Sequence, residues 1–156
     1  QAFTTYVLPP VAVTPMCFGN ACPCANDDAN AGCRNSTGVG ALLVQSGGTL
    51  SIALDDLAMH ASQMTTNQSA LMFMGNAQIN APWADGRRCA AGQVWRFPIN
   101  TTGPAGSLNL IGPVGQSAGL ITSGSSWIFQ SWYRDPVGPC LHHVNMSNGL
   151  KCQFGP

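Results

Sequence analysis

From Gly38 onward, in "GVGALLVQSGGTLSIALDDLAMHAS", Leu50, Ile52 and Leu54 alternate with Thr49, Ser51 and Ala53. Period-two alternation puts one set of side chains on each face of an extended strand, and "SGG" between two such runs reads as a hairpin turn. The pattern predicts an antiparallel pair with one face in a core. Further strands are predicted at about 57–62, 69–75, 93–99, 107–111, 126–134 and 149–154, separated by turn chemistry in "NAPWADG", "NTTGPAG", "GPVGQSAG" and "DPVGP". Short strands at this spacing predict an all-β fold, an antiparallel β-sandwich of immunoglobulin-like or jelly-roll-like kind.

One strand is apolar on both sides. In "WIFQSWYR", Trp127, Phe129 and Tyr133 share one face, and Ile128, Trp132 and Arg134 share the other. Such a strand is central, or has its second face covered by a loop, a ligand or another subunit.

Residues 1–16, "QAFTTYVLPPVAVTPM", break the pattern: they hold no glycine and no charge, and Pro9, Pro10 and Pro15 exclude helix. They read as an extended apolar arm, and residues 17–156 as a single β-sandwich domain with a cysteine-rich loop at 17–33. An arm carrying Phe3, Tyr6, Val7, Leu8, Val11 and Val13 is too apolar to be a free tail. It is expected either to be the first strand of its own sandwich, or to be donated to the sheet edge of a second copy, which builds a head-to-tail filament.

Composition sharpens this picture. All six acids are Asp, and the six bases are five Arg and Lys151, so the chain lacks the Glu and most of the Lys that fill exposed helix faces. Zero formal net charge and 8% charged residues leave no basic footprint for nucleic acid. The longest apolar runs are far too short to span a bilayer. A start at Gln1 without Met is expected of an exported chain after leader removal.

Seven cysteines fit export, where such density means disulfides: Cys17, Cys22, Cys24, Cys33, Cys89, Cys140 and Cys152. Cys22 and Cys24 are too close for an unstrained mutual bond, so each reaches elsewhere. Cys140 and Cys152 flank the last hairpin and are expected to pair, Cys89 is expected to tie mid-chain to the N-terminal loop, and an odd count leaves one cysteine over. Four thiolates at 17, 22, 24 and 33 have the number for zinc, but their spacing matches no common zinc knuckle.

Other candidate chemistry is sparse. Asn26, Asp28 and Asn30 alternate like the first ligands of a calcium loop, though no acid stands at the twelfth position, and Asx-rich loops also bond their own backbone. His142, His143 and Met146, with His60, Met59 and Met64, are donor types that copper accepts. No Gly-x-Ser-x-Gly elbow, His-Glu-x-x-His or paired Glu occurs, so the residues give no positive evidence of catalysis and a non-enzymatic protein is expected. Trp83, in a Pro- and Gly-flanked loop, and Trp132 are the candidate platforms for sugar rings, whose apolar C–H faces pack on aromatic side chains. Sequons at Asn35, Asn67, Asn100 and Asn145 are candidate glycosylation sites of an exported glycoprotein.

The order "CPCANDDANAGCRNSTGVGALL", "SIALDDLAMHAS", "ADGRRCAAGQVWRFP", "SSWIFQSWYRDPVGPC" and "NGLKCQFGP" resembles a domain widespread in predicted secreted proteins of planctomycete-type and myxobacterial bacteria. Over about residues 17–156, the Trp-Tyr-Arg-Asp-Pro segment and the closing Phe-x-Pro carry the resemblance most specifically. It implies an extracellular module and no known activity. Taken together, the residues favour a secreted or cell-surface structural protein that polymerises with itself by strand donation into a pilus-like filament or surface layer, with an extracellular carbohydrate-binding module as the alternative.

Overall fold

The computed structural model describes Ala2, residues 11–115 and residues 119–156; Phe3, Tyr6, Val7 and Leu8 of the expected assembly arm lie outside the described residues. Within them the chain forms ten strands: β1 (Ala12–Met16), β2 (Leu42–Gly47), β3 (Ala58–Ser62), β4 (Ser69–Trp83), β5 (Gly86–Arg96), β6 (Asn100–Thr101), β7 (Leu108–Ile111), β8 (Ser126–Arg134), β9 (Val144–Met146) and β10 (Gly149–Gln153). They make two antiparallel sheets. The larger runs β1-β10-β8-β4-β5, with β6 on β4 and β9 on β8; the smaller runs β2-β3-β7. The fold is a disulfide-stapled β-sandwich.

The main core lies between the sheets. Leu43, Met59, Ala61 and Leu108 of the small sheet meet Met72, Met74, Phe129 and Leu150 of the large one, all buried. β8 is central, between β10 and β4, and uses both of its apolar faces. Trp127, Phe129 and Tyr133 enter the main core. Ile128 and Trp132 point to the opposite face, where a second cluster forms with Leu71, Phe73, Cys89 and Met146. Burial raises the Tyr133 phenol pKa above its ordinary 10.0, and the phenol oxygen accepts an N–H from Asn35 Nδ2 at 3.0 Å.

The described end of the arm is used within the same chain. β1 pairs antiparallel with β10, from Ala12↔Gln153 to Met16↔Gly149, and forms one edge of the large sheet. Val13 packs against the main core while Val11 is 55% exposed.

Two strand expectations are corrected. The alternating run Leu50–Leu54 is a turn rather than a strand: Asp56 accepts both the N–H and the hydroxyl of Thr49, at 2.9 and 2.7 Å, and the Asp55 N–H returns to the Ser51 carbonyl at 3.0 Å. Asx and Ser/Thr bonding close this stretch on itself, and local polar chemistry outweighs the period-two signal. Conversely β4 and β5 are longer than predicted, because "NAPW" continues the strand and the turn shrinks to Ala84 and Asp85.

That long hairpin decides the surface of the molecule. Its register shifts between Gly75 and Ala77 and again between Gln78 and Ala81, and bulges of this kind bend a strand pair. At the first, a side chain on Gly75 would lie 2.4 Å from the Ala91 carbonyl oxygen, so only glycine fits. The bent hairpin folds back over the outer face of its own sheet. Its turn reaches β9, where the Asp85 N–H bonds the Val144 carbonyl at 3.1 Å, and Gln130 of β8 bonds the β5 backbone from beneath.

The cysteine-rich loop clamps the hairpin down. The disulfides are Cys17–Cys89, Cys22–Cys33 and Cys24–Cys140. The expected link from Cys89 to the N-terminal loop is thus present, through Cys17. The expected Cys140–Cys152 pair is not: Cys140 joins Cys24, and Cys152 is a free thiol buried in the main core. The physical reason is face parity, since Cys152 of β10 points inward between the sheets while Cys140 lies in a loop beside the hairpin turn. Each bridge contributes about 2–4 kcal/mol by restricting the unfolded chain.

Candidate functional site

The fold-back leaves a cleft of about 410 Å³ between the hairpin and the outer face of the sheet, within the size range of small-ligand sites. Leu71 and Phe73 of β4 and Trp132 of β8 come from the sheet, where strand alternation turns them away from the main core. Trp83 and Arg88 come from the far half of the hairpin, and Arg96 from the end of β5 near Ile99. Both tryptophans singled out as sugar platforms therefore border one cavity, 49 residues apart in sequence. Trp83 is 38% exposed and Trp132 is partly buried, so each offers ring surface and neither is lost in the core.

The cleft is held rigidly. Asp85, in the turn beside Trp83, is fully buried and accepts the Cys140 N–H at 3.3 Å and the His142 N–H and Nδ1, both at 3.0 Å. Asn26 adds a bond from Nδ2 to the Asp85 carbonyl at 2.9 Å. A side chain on Gly86 would meet Asn145 Oδ1 at 2.4 Å, which shows how closely the turn sits on β9. Arg87, next along β5, donates to the Asn80 side chain at 2.5 Å and to the Ala21 carbonyl at 2.6 Å, tying strand to cysteine loop. Preformed walls of this kind bind without a large ordering cost.

Sequence reasoning did not single out Arg88 and Arg96. A signal was available: in a chain with only six bases, Arg87, Arg88 and Arg96 all lie on β5. Arg88 Nε donates to the Ala90 carbonyl at 2.9 Å, leaving its terminal nitrogens without a described partner. Arg96 makes neither hydrogen bond nor ion pair with any described residue.

The remaining expected sites fare differently. Asn26 is buried and spends its amide on the Arg34 and Asp85 carbonyls, and Asp28 accepts N–H groups from Asn30 at 3.0 Å and Gly40 at 2.9 Å. These two of the three proposed calcium ligands thus work as backbone braces, and Asn30 is exposed. Among the described residues no cluster of three or more His, Cys, Asp or Glu is placed to hold a metal. Met59, Met64 and Met146 are core side chains, and His60 bonds Asn109 at 2.7 Å. Of the sequons, Asn67 and Asn100 are exposed. Asn35 and Asn145 are buried, each with Nδ2, the atom a glycan would join, bonded to a backbone carbonyl.

Comparison with family models, with curated proteins and with solved structures finds no match, so fold and site are read from this chain alone.

Proposed function

We propose that the protein is a non-enzymatic binding module of the cell exterior that holds saccharide chains in the cleft between Trp83 and Trp132. The observation that supports this reading is that both tryptophans line one preformed cavity. An aromatic side chain carries about 150–250 Å² of contact surface, and two in one cleft match the flat apolar faces of adjacent sugar units. The rest of the lining is apolar with a few hydrogen-bond donors, the usual make-up of a ligand site. Three disulfides fit an oxidising, extracellular setting, and among the described residues no helix is long and apolar enough to cross a membrane.

Retention on immobilised polysaccharides tests it, read beside tryptophan fluorescence. Wild type is expected to be retarded, with Trp83→Ala and Trp132→Ala each reducing retention. Passage of the wild type through uronate-bearing, sulfated and neutral matrices alike would end the proposal.

A second reading keeps the assembly role. β1 ends the large sheet, and a groove of about 530 Å³ lined by Val11, Val13 and Leu50 runs beside it, so an added strand from another copy has an edge and a trough to occupy. Light scattering and electron microscopy of the protein with and without residues 1–16 decide it. Filaments that vanish with the arm support strand donation, and monomers in both preparations exclude it.

A further inference from the structure

The Trp83–Trp132 cleft carries more than aromatic surface. We infer that its ligand is an acidic saccharide, whose carboxylate or sulfate groups are bound by Arg88 and Arg96; this rests on the saccharide reading above and names the class of sugar.

The argument is one of charge and partners. Two guanidinium groups line the cleft and no carboxylate does. The protein's six side-chain carboxylates are all committed elsewhere, mostly to backbone N–H groups. Asp27 holds Ala21 and Cys22, Asp28 holds Asn30 and Gly40, Asp55 holds Val114 and Gly115, and Asp56 holds Thr49. Asp85 holds Cys140 and His142, and Asp135 holds Ser36. Among the described residues the one ion pair joins His142 and Asp85. The cleft thus brings together two guanidinium groups, Arg88 and Arg96, that pair with no carboxylate among the described residues.

Arg88 is half-buried and Arg96 exposed, so both guanidinium groups are open to an incoming anion. Arg96 has no described partner, and Arg88 leaves its terminal nitrogens free, beside Leu71, Phe73, Val94 and the two tryptophans. Apolar walls displace the water that would solvate a guanidinium and strengthen its attraction to an anion. The planar fork of arginine matches a carboxylate or sulfate through two parallel N–H···O bonds, while a neutral sugar hydroxyl accepts only singly. A neutral chain would bury the tryptophan faces and leave the guanidiniums short of acceptors. An acidic chain satisfies both.

The discriminating probes are oligogalacturonate, the same oligomer as its methyl ester, a sulfated galactan oligosaccharide of similar length and polyglutamate, each titrated by tryptophan fluorescence and calorimetry. Oligogalacturonate is expected to bind about tenfold or more tighter than its ester. Arg96→Gln and Arg88→Gln should remove that preference, weakening the acid's binding by a larger factor than the ester's. Binding should weaken as salt rises from about 0.05 M to about 0.5 M. Tighter binding of the sulfated oligomer supports the inference with sulfate as the anion. Equal affinity for acid and ester overturns it and leaves the saccharide reading standing. Polyglutamate binding as tightly as the sugars overturns the saccharide class, and no binding of any sugar by the wild type overturns both.

Discussion

Gln130, in the middle of β8, accepts the N–H of Cys89 on β5 at 3.0 Å, across the face that the bent hairpin covers. The same side chain donates to the Arg87 carbonyl at 2.7 Å and the Ser147 carbonyl at 2.8 Å. A single carboxamide thus satisfies three backbone groups on two other segments, with no exposure to water. Gln130→Leu would leave those groups buried and unpaired, at about 1–3 kcal/mol each before relaxation. A loss of about 3 kcal/mol in urea unfolding is expected, with faster amide exchange at Cys89. A change under about 0.5 kcal/mol would show that the hairpin is held by its disulfides alone.

The Cys24–Cys140 bridge closes a sequence separation of 116 residues, against 11 for Cys22–Cys33. In the chain-entropy account the longer closure is worth about 2 kcal/mol more. The Cys24→Ser/Cys140→Ser double variant should lose about 2–5 kcal/mol, with Trp83 emission shifting red as the turn beside Asp85 loosens. The Cys22→Ser/Cys33→Ser variant should lose less and leave Trp83 emission in place. Calorimetry with fluorescence separates the two, and the reverse order of losses would show that strain or unfolded-state structure dominates.

How much of this was legible beforehand differs from element to element. β8 could be read outright, because five apolar or aromatic residues in nine fix both of its faces at once. The turn at Leu50–Leu54 could not, since its alternating letters are indistinguishable from a strand until Asp56 is seen to bond Thr49. Trp83 and Trp132 were identifiable as platforms, but nothing in their spacing announces that two bulges bring them to one cavity. Cys152 was misassigned because a cysteine reads the same whether it faces a partner or the core. The Asn/Asp run near Cys24 showed its polar character and not its direction: Asn26 points inward at the hairpin turn.

Exposure separates the four sequons. In a host that N-glycosylates its exported proteins, peptide mapping is expected to find glycan at Asn67 or Asn100 only. Asn35 donates to the Gln63 carbonyl at 2.8 Å and Asn145 to the Cys33 carbonyl at 3.2 Å, and both are buried. Modification before folding would leave each with a bulky group in the core, so glycan at either position in folded material would contradict the described packing. Asn145→Asp should be clearly destabilising, because it removes an amide donor and adds a buried acceptor beside the Cys33 and Arg34 carbonyls.

High pH should unfold the protein through two buried groups. Burial pushes the Cys152 thiol from its ordinary 9.0 up to about 12, and raises the Tyr133 phenol above its ordinary 10.0. Both are held protonated in the native state and are free to ionise when unfolded. Above pH 9 the native state therefore binds more protons than the unfolded state, and stability falls as pH rises. The contribution is fully present below pH 9. It is lost through Cys152 between pH 9 and about 12, joined by Tyr133 from pH 10, with a slope of up to about 1.4 kcal/mol per pH unit for each group. Urea midpoints from neutral pH to about pH 11 measure this. Cys152→Ala should flatten the fall that starts near pH 9, and Tyr133→Phe the part above pH 10, even though each lowers stability at neutral pH by removing packed atoms or the bond from Asn35. The same burial predicts that Cys152 resists alkylation in the native protein and takes up one equivalent on denaturation, whereas rapid native labelling at mildly alkaline pH would show that β10, paired on both sides by β1 and β8, opens far more often than an interior strand should.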